Sequence, residues 1–172
     1  TQGVDLTVEA VLELNRERAL SLGVEESKIA SSIEEVVSNP NVDIVVEVIG
    51  GVEPAKTFVL KALLSGKTVV TSNKELFAKH WPELEAAAKK MRVGLFYEAS
   101  CVGGVPIIRT LHDGMQANKI SCIKGIINGT TNYILTKMAN EGSSYEEALK
   151  EAQRLGYAEF NPTADVEGFD AT

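Results

Sequence analysis

The sequence lacks long apolar runs, a secretory signal and any excess of basic charge. No hydrophobic stretch approaches the roughly 18–20 residues of a membrane-spanning helix, and the start TQGVDLTVEA has no charged region followed by an apolar one. Acidic residues outnumber basic ones by 24 to 17, and the net charge of −7 argues against nucleic acid as a main partner. With mean hydropathy near zero, these features indicate a soluble protein, which we expect in the cytoplasm.

Cysteine is scarce, and no metal-binding spacing occurs. The two cysteines, Cys101 and Cys122, form neither a CxxC motif nor a Cys/His pattern. We predict reduced thiols, one in a strand and one in a loop. The two histidines, His80 and His112, lie far apart without a partner nearby in sequence, and we expect structural roles for both.

A glycine-rich phosphate loop is also missing. A dinucleotide-binding fold normally begins with a strand and a GxGxxG turn, and neither that motif nor an initiating methionine is present. If the fold is of this type, we expect its first strand and phosphate loop to lie upstream of Thr1.

Strand and helix patterns nevertheless alternate through the first hundred residues. The predicted strands are Leu6–Leu14, Val42–Gly51, KTVVTSN and VGLFYEAS. The β-branched run in Val42–Gly51 predicts a strand buried on both faces, as in a parallel sheet. The predicted helices are NRERALSLG, one capped by Ser31 with Glu34, one between Pro54 and Gly66, and one that Pro82 opens and Arg92 ends. This alternation predicts a single doubly wound parallel sheet.

The pattern changes after Pro106. VPIIRTLHDGM favours a helix, KISCIKGIING a strand of a different sheet, and TTNYILTKMANEG a further helix, while Ser143 with Glu146 predicts the cap of another. The predicted fold class is therefore α/β. We predict that residues 1–100 form a partial Rossmann-type doubly wound parallel sheet and that residues 101–172 form part of a second, α+β domain.

Polar or glycine-rich segments follow the predicted strands, where parallel sheets bind ligands. Gly50 and Gly51 either bring backbone close to a cofactor or form a tight turn. Ser72 and Lys74 follow the next strand, and Lys74 is either a donor to a carbonyl oxygen or a solvated lysine at a helix start.

Two later segments could bind ions. The loop YEASCVGGVP combines Glu98 with permissive glycines, so it is either a site for a hard cation held by carbonyls and one carboxylate or an ordinary interdomain turn. The segment NGTTN could hold a carboxylate at a helix N-terminus, or Thr130 or Thr131 could simply cap that helix.

The closing stretch GYAEFNPTADVEGFDAT is rich in carboxylates. They could receive a substrate ammonium, or the stretch could be a solvated acidic loop.

Taken together, five blocks resemble homoserine dehydrogenase in their order and spacing. The blocks are VDIVVEVIGG, KTVVTSNKELFA, YEASCVGGVPII, GIINGTTNYIL and EAQRLGYAEFNPTADVEGFDAT. The residues that fill the family signature are Ala152, Gly156, Tyr157, Ala158, Asn161, Pro162, Asp165, Val166, Gly168 and Asp170. The signature lysine would fall four residues past Asp170, so the resemblance implies an internal segment of the enzyme.

The resemblance implies NAD(P)-dependent interconversion of L-aspartate 4-semialdehyde and L-homoserine, a step toward threonine, methionine and isoleucine. It implies catalytic roles for Lys74 and Asp170, with Glu159, Thr130 and Asp170 binding substrate. It also implies that Gly50, Gly51, Ser72 and Lys74 bind the cofactor. Because the phosphate loop and the signature lysine are absent, we expect the chain alone to be inactive.

The resemblance further implies a sodium site. It also implies that residues 101–172 belong to a substrate and dimerisation domain, so that the intact protein is a homodimer. Glu98, Cys101, Gly103 and Val105 match the cation loop, where Cys101 replaces a commoner valine. Since a main-chain oxygen is the expected ligand there, this change need not abolish the site.

The sequence leaves the choice of cofactor open. Glu13 favours NAD through a ribose hydroxyl, whereas Arg16 and Arg18 favour the 2′-phosphate of NADP, to which we lean slightly. The alternative function is a non-catalytic binding or assembly module that keeps the dehydrogenase fold.

Overall fold

The computed structural model describes residues 3–171. By compactness the chain divides between Gln116 and Ala117 into two units. The functional domains predicted at residues 1–100 and 101–172 stay a prediction, because compactness alone does not define a functional domain. None of the described helices is long and apolar enough to cross a membrane.

The first unit alternates short parallel strands with helices. Its strands are β1 (Val11–Leu12), β2 (Ile29–Ala30), β3 (Ile44–Glu47), β4 (Thr68–Thr71) and β5 (Leu95–Phe96), and its helices are α1 (Arg16–Ser21), α2 (Ile33–Ser38), α3 (Ala55–Leu64), α4 (Lys74–Met91) and α5 (Ile107–Arg109). Tight 3-10 turns occupy Glu26–Lys28 and Glu98–Ser100, and a π-helical turn follows α5 at Thr110–Gly114. The mixed α/β class with parallel strands is confirmed.

The strands form two separate parallel sheets, so the prediction of one continuous sheet is wrong for the described residues. β1 pairs with β2, and β4 lies between β3 and β5. The register pairs Val45 with Val69 and Val69 with Leu95. A groove of about 500 Å³ lies between the two sheets, lined largely by residues 5–13 and 41–49.

The prediction that β3 is buried on both faces is also wrong. Val45 packs against the core and Glu47 is 3% exposed, whereas Ile44 and Val46 are 48% and 62% exposed. The core consists of residues from α3, α4 and β4, led by Val59, Leu63, Val69, Leu76 and Leu84. These helices cover only the face of β3 that carries Val45 and Glu47.

Several predicted boundaries in this unit shift. The strands predicted at Leu6–Leu14 and VGLFYEAS shrink to the two-residue β1 and β5, because only those residues find a ladder partner. α4 begins at Lys74 rather than at Pro82, which lies inside it. Asn73 caps α4 by accepting a hydrogen bond from the Leu76 N–H at 3.0 Å. The predicted end at Arg92 is confirmed, and this residue adopts a left-handed conformation with φ of 57°.

The second unit is helical in its described part. Its helices are α6 (Gly129–Glu141), α7 (Tyr145–Arg154) and α8 (Thr163–Val166), followed by a 3-10 turn at Phe169–Ala171. α6 and α7 pack through a small core of Ile134, Ala148, Ala152 and Ala158. This core positions the turn after α7, which carries the carboxylate-rich stretch.

The strand predicted at KISCIKGIING is absent from the described residues. Ile123, Ile126 and Ile127 are 67%, 73% and 59% exposed, and the segment pairs with no neighbouring strand. A strand needs a partner for its ladder hydrogen bonds, and the described part of this unit supplies none. Cys122 therefore lies in an unpaired segment and Cys101 in a loop, so the prediction of one cysteine in a strand is wrong.

Both predicted serine caps are displaced by one residue. Ser32, not Ser31, caps α2 by accepting from the Glu35 N–H, while the Ser31 N–H donates to the Glu35 carboxylate. Ser144, not Ser143, forms the capping box of α7 with Glu147.

Candidate functional site

A buried polar network joins the carboxyl ends of β3 and β4. Thr71 Oγ1 donates to Glu47 Oε2 at 2.5 Å and accepts the Asn73 N–H at 3.0 Å. Glu47 Oε1 accepts the Ile49 N–H at 2.7 Å, and Asn73 Nδ2 donates to the carbonyl oxygen of Gly51 at 2.6 Å. The network therefore fixes the loop after β3 and the start of α4 relative to each other.

Gly50 and Gly51 lie in the loop that this network holds. Their φ angles are 80° and 69°, a conformation that L side chains rarely adopt, and no atom lies within 4 Å of a Cβ built on either. Their backbone is thus exposed, and a ligand could approach it closely. Ser72 and Lys74 follow β4 at the same sheet edge and are both exposed. The structure therefore brings the four predicted cofactor-binding residues to one edge of the β3–β4–β5 sheet.

The predicted cation loop lies directly after β5. Both carboxylate oxygens of Glu98 accept backbone N–H groups, from Ile108 at 3.0 Å and Arg109 at 2.8 Å. The Val105 carbonyl accepts the Ile107 N–H at 2.8 Å. Among the described residues, the carbonyls of Cys101 and Gly103 accept no backbone hydrogen bond. A carboxylate and carbonyl oxygens are the donors that suit a hard cation, although both oxygens of Glu98 already accept hydrogen bonds from the start of α5.

An aromatic cluster supports the strand that leads into this loop. Tyr97 stacks on Phe77 with ring centroids 4.5 Å apart and meets Trp81 edge-on at 4.9 Å. Burial, followed by the charge of Glu85, raises the pKa of the Tyr97 phenol. The phenol therefore stays neutral through the physiological range.

Two of the three residues considered for cofactor choice have partners within the protein. Arg16 forms an ion pair with Glu26 at 2.9 Å, and Glu13 accepts the Asn15 N–H at 2.9 Å. Arg18 lies exposed on α1. These contacts favour neither NAD nor NADP.

The second unit contains a pocket of about 440 Å³ at the start of α6. It is lined by Asn128, Gly129, Thr130, Tyr133, Tyr157, Asp165 and Asp170. Its volume is in the range of small-molecule sites. Thr130 and Asp170, two of the predicted substrate-binding residues, therefore line one cavity.

The third predicted substrate residue, Glu159, does not line this cavity. Its side chain is exposed, and its backbone carbonyl accepts from Gln153 Nε2 at 3.1 Å. Thr130 Oγ1 donates to the Tyr157 carbonyl at 2.7 Å, which ties the start of α6 to the turn after α7. Tyr133 and Tyr157 lie with ring centroids 5.0 Å apart on the pocket wall.

Sequence reasoning did not single out Asn128, which lines the pocket. Asn128 caps α6 by accepting the Thr131 N–H at 2.7 Å, so the alternative of a cap by Thr130 or Thr131 is wrong. Its side-chain amide donates to Asp165 at 2.7 Å and to Asp170 at 2.8 Å. The asparagine ahead of a helix was a visible cap signal, but its contacts with residues 37 and 42 positions away were not.

Comparison with known protein families gives two matches that together cover most of the chain. Residues 1–98 match the model described as the homoserine dehydrogenase NAD binding domain, and residues 106–172 match the model described as homoserine dehydrogenase. The chain belongs to the homoserine dehydrogenase family.

Individual relatives agree with this assignment. The chain is 47% identical to homoserine dehydrogenase of Bacillus subtilis over 169 residues, which is 98% of this chain and 39% of that protein. The crystal structure of a homoserine dehydrogenase from Thiobacillus denitrificans matches with a TM-score of 0.82 and 48% identity, covering 94% of this chain and 37% of that one. A hyperthermophilic archaeal homoserine dehydrogenase in complex with NADPH matches with a TM-score of 0.68 and 37% identity, covering 81% and 43%.

The chain thus spans about two-fifths of the length of such relatives. Its similarity to them identifies a nicotinamide-dependent oxidoreductase family that acts on a CH–OH group.

Proposed function

We propose that the full-length product of the gene encoding this sequence is a homoserine dehydrogenase that interconverts L-aspartate 4-semialdehyde and L-homoserine. The observation that carries the proposal is the pocket of the second unit. There Thr130 and Asp170, which the family resemblance assigns to substrate, line one cavity in a chain of that family.

Charge and hydrogen bonding suit this pocket to an amino-acid substrate. Asp165 and Asp170 supply negative charge for an ammonium group. The exposed Glu159, on the turn after α7, is proposed to assist in binding that ammonium. Asp170 is also proposed as a catalytic residue, in line with the family resemblance.

Lys74 is proposed as a catalytic residue that donates a hydrogen bond to the carbonyl oxygen of the aldehyde, where negative charge develops during reduction. It is the first residue of α4, held in place by the Asn73 cap and by the network around Thr71. A cationic side chain placed where negative charge develops lowers the barrier by stabilising that charge.

A nicotinamide cofactor supplies or accepts the hydride when bound. The residues proposed to hold it are Gly50, Gly51, Ser72 and Lys74. The two glycines support this proposal, because the open space beside them leaves room for the cofactor to approach the backbone closely. We propose NADP or NAD as the cofactor, with a slight preference for NADP.

A sodium ion is proposed to bind the loop after β5. Glu98 and the carbonyls of Cys101, Gly103 and Val105 would hold it, and its role there would be structural. The carbonyls of Cys101 and Gly103, which accept no backbone hydrogen bond from the described residues, support the proposal. Exchanging sodium for choline in the buffer should lower the thermal transition of the first unit, whereas an unchanged transition would argue against the site.

The pathway, the location in the cell and the oligomeric state are likewise proposed from the family. The reaction would serve threonine, methionine and isoleucine biosynthesis in the cytoplasm, and the intact protein would be a homodimer. Light scattering of the full-length gene product tests the dimer, since a monomeric mass would contradict it.

The activity is tested by incubating the purified full-length gene product with NADP⁺ or NAD⁺ and L-homoserine. Formation of reduced cofactor that depends on L-homoserine is expected. L-Serine, which is one methylene shorter, serves as the control substrate and should give much slower turnover. No homoserine-dependent reduction with either cofactor would overturn the proposal.

A further inference from the structure

Asn128 lies between two carboxylates, and all three side chains line the second unit's pocket. Asn128 is 9% exposed, and both ends of its side-chain amide are engaged. Nδ2 donates to Asp165 Oδ1 at 2.7 Å and to Asp170 Oδ2 at 2.8 Å. Oδ1 accepts from the Thr131 N–H at 2.7 Å and from Thr131 Oγ1 at 2.8 Å. Asparagine can make at most two donor bonds through its amide nitrogen, and both go to the carboxylates.

Helix capping explains only half of this arrangement. A cap requires an oxygen that accepts from the first turn of α6, and serine or aspartate supplies one as well as asparagine does. The two donor bonds add nothing to the cap. They connect the start of α6 with Asp165 of α8 and with Asp170 of the 3-10 turn behind it.

The donor bonds change how the two carboxylates can be arranged. Two like charges that approach each other repel, and hydrogen bonds to the charged forms offset that repulsion. One amide group donating to both also fixes the orientation of each. A carboxylate has about four acceptor positions, so the bond from Asn128 by itself does not prevent either group from also accepting from a ligand.

We propose that Asn128 is the positioning residue of the substrate site, which holds Asp165 and Asp170 side by side to receive the substrate ammonium. The inference rests on the proposed function. It assigns to Asn128 a role in substrate affinity that is separate from its role as the cap of α6.

The test compares two substitutions at Asn128 in the full-length gene product. Asn128→Ser keeps a capping oxygen but has a single hydroxyl hydrogen, which cannot bridge two carboxylates. Asn128→Asp also keeps the cap but places a third carboxylate against the other two. Asn132→Ser, the same change at an exposed position on α6, is the matched control.

The expected result is a selective loss of affinity for L-homoserine. Its KM should rise about 10- to 100-fold in Asn128→Ser, the range for a lost hydrogen bond to a charged group, and further in Asn128→Asp. The KM for the cofactor should stay unchanged in both variants. The thermal transition of Asn128→Ser should stay close to that of the wild type because the cap is kept, whereas the added carboxylate should lower that of Asn128→Asp. The inhibition constant of 4-hydroxybutanoate, which lacks the ammonium group, should also stay unchanged, and Asn132→Ser should behave as the wild type does.

Two results would overturn the inference while leaving the proposed function intact. One is a KM for L-homoserine in Asn128→Ser within twofold of the wild type. The other is an equal weakening of L-homoserine and 4-hydroxybutanoate with a lowered thermal transition, which would indicate a purely structural role. If the wild-type protein does not turn over L-homoserine, the proposed function itself fails and the inference fails with it.

Discussion

Thr71 donates its hydroxyl hydrogen to the buried carboxylate of Glu47 at 2.5 Å, across the carboxyl ends of β3 and β4. The same hydroxyl accepts the Asn73 N–H, so one side chain connects both strands and the start of α4. Since Thr71 is fully buried and Glu47 is 3% exposed, water cannot replace these bonds without rearrangement.

Replacing Thr71 with valine should therefore destabilise the first unit by about 1–3 kcal/mol, the cost of leaving a buried acceptor without its donor. Valine preserves the shape of threonine, so packing changes little. Urea unfolding followed by the fluorescence of Trp81, the single tryptophan of the chain and a contact of this core, measures the effect.

Thr57→Val is the matched control for that measurement. Thr57 also donates to a glutamate, Glu53 at 2.8 Å, but this pair is exposed on the surface. Its loss should change stability by less than about 0.5 kcal/mol. Equal effects of the two substitutions would show that burial of the Glu47 network contributes nothing.

The capping box of α7 gives a second prediction. Ser144 accepts the Glu147 N–H, and the Glu147 carboxylate accepts the Ser144 N–H at 2.9 Å. Ser144→Ala should destabilise the second unit by about 0.5–2 kcal/mol, the usual loss for an N-cap. Ser143→Ala should have almost no effect, although Ser143 fits the sequence pattern equally well. NMR signals of α6 and α7 during urea unfolding report on this unit, and the reverse order of the two effects would refute the cap assignment.

The ion pairs of Lys137 predict a pH-dependent stability. Lys137 contacts Glu151 at 2.5 Å and Glu141 at 2.9 Å, joining α6 to α7. The hydrogen bond from Lys137 holds the pKa of Glu151 below its ordinary value of 4.5, and the same bonds raise the pKa of Lys137. For Glu151 the stabilisation is present above its ordinary pKa and is lost as pH falls through the lowered one.

Lys137→Met should consequently destabilise the α6–α7 pair at neutral pH and lose most of its effect in acid. The raised pKa of Lys137 adds no change in this range, because its contribution is complete below its ordinary pKa and is lost only at higher, alkaline pH. The comparison uses the difference in urea midpoint between wild type and variant across the acid range. Lys79→Met, which breaks a more exposed pair with Glu75, should show a smaller difference. A Lys137 effect that does not change with pH would contradict the ion-pair account.

The 172-residue chain is expected to be inactive by itself. It spans 39% of the Bacillus subtilis relative, so it lacks most of the length with which that protein works. Incubation with NADPH and L-aspartate 4-semialdehyde should give no oxidation of the cofactor above background. Measurable, substrate-dependent oxidation would overturn this expectation.

The sequence predicted the α/β class and most helices because apolar spacing and β-branched runs are local signals. It misplaced two caps because SSIEE and SSYEE each contain the Ser-x-x-Glu pattern in two adjacent registers. Only the structure distinguishes Ser32 from Ser31 and Ser144 from Ser143. Pro82 misled the prediction for α4 because a proline can open a helix or lie within one, and the Asn73 cap decides for the latter.

Only those site residues that lie in the blocks resembling the family could be predicted from the sequence. Thr130 and Asp170 were found through the family resemblance, and the structure places both on one pocket. The two bonds from Asn128 were not predictable, because they join residues that are distant in sequence. The exposed face of β3 was missed for another reason. The β-branched run Ile44, Val45 and Val46 shows that both faces could be buried, but it does not show whether another element covers each face.

The kinetics of Asp170→Asn in the full-length gene product test the central claim most directly. This substitution keeps the size of the side chain and removes the charge proposed to act on substrate. The account predicts that kcat/KM for L-homoserine falls by at least about 100-fold, as expected when an interaction with a charged group of the substrate is lost, while binding of the cofactor is unchanged. Wild-type kcat/KM in Asp170→Asn would contradict the account.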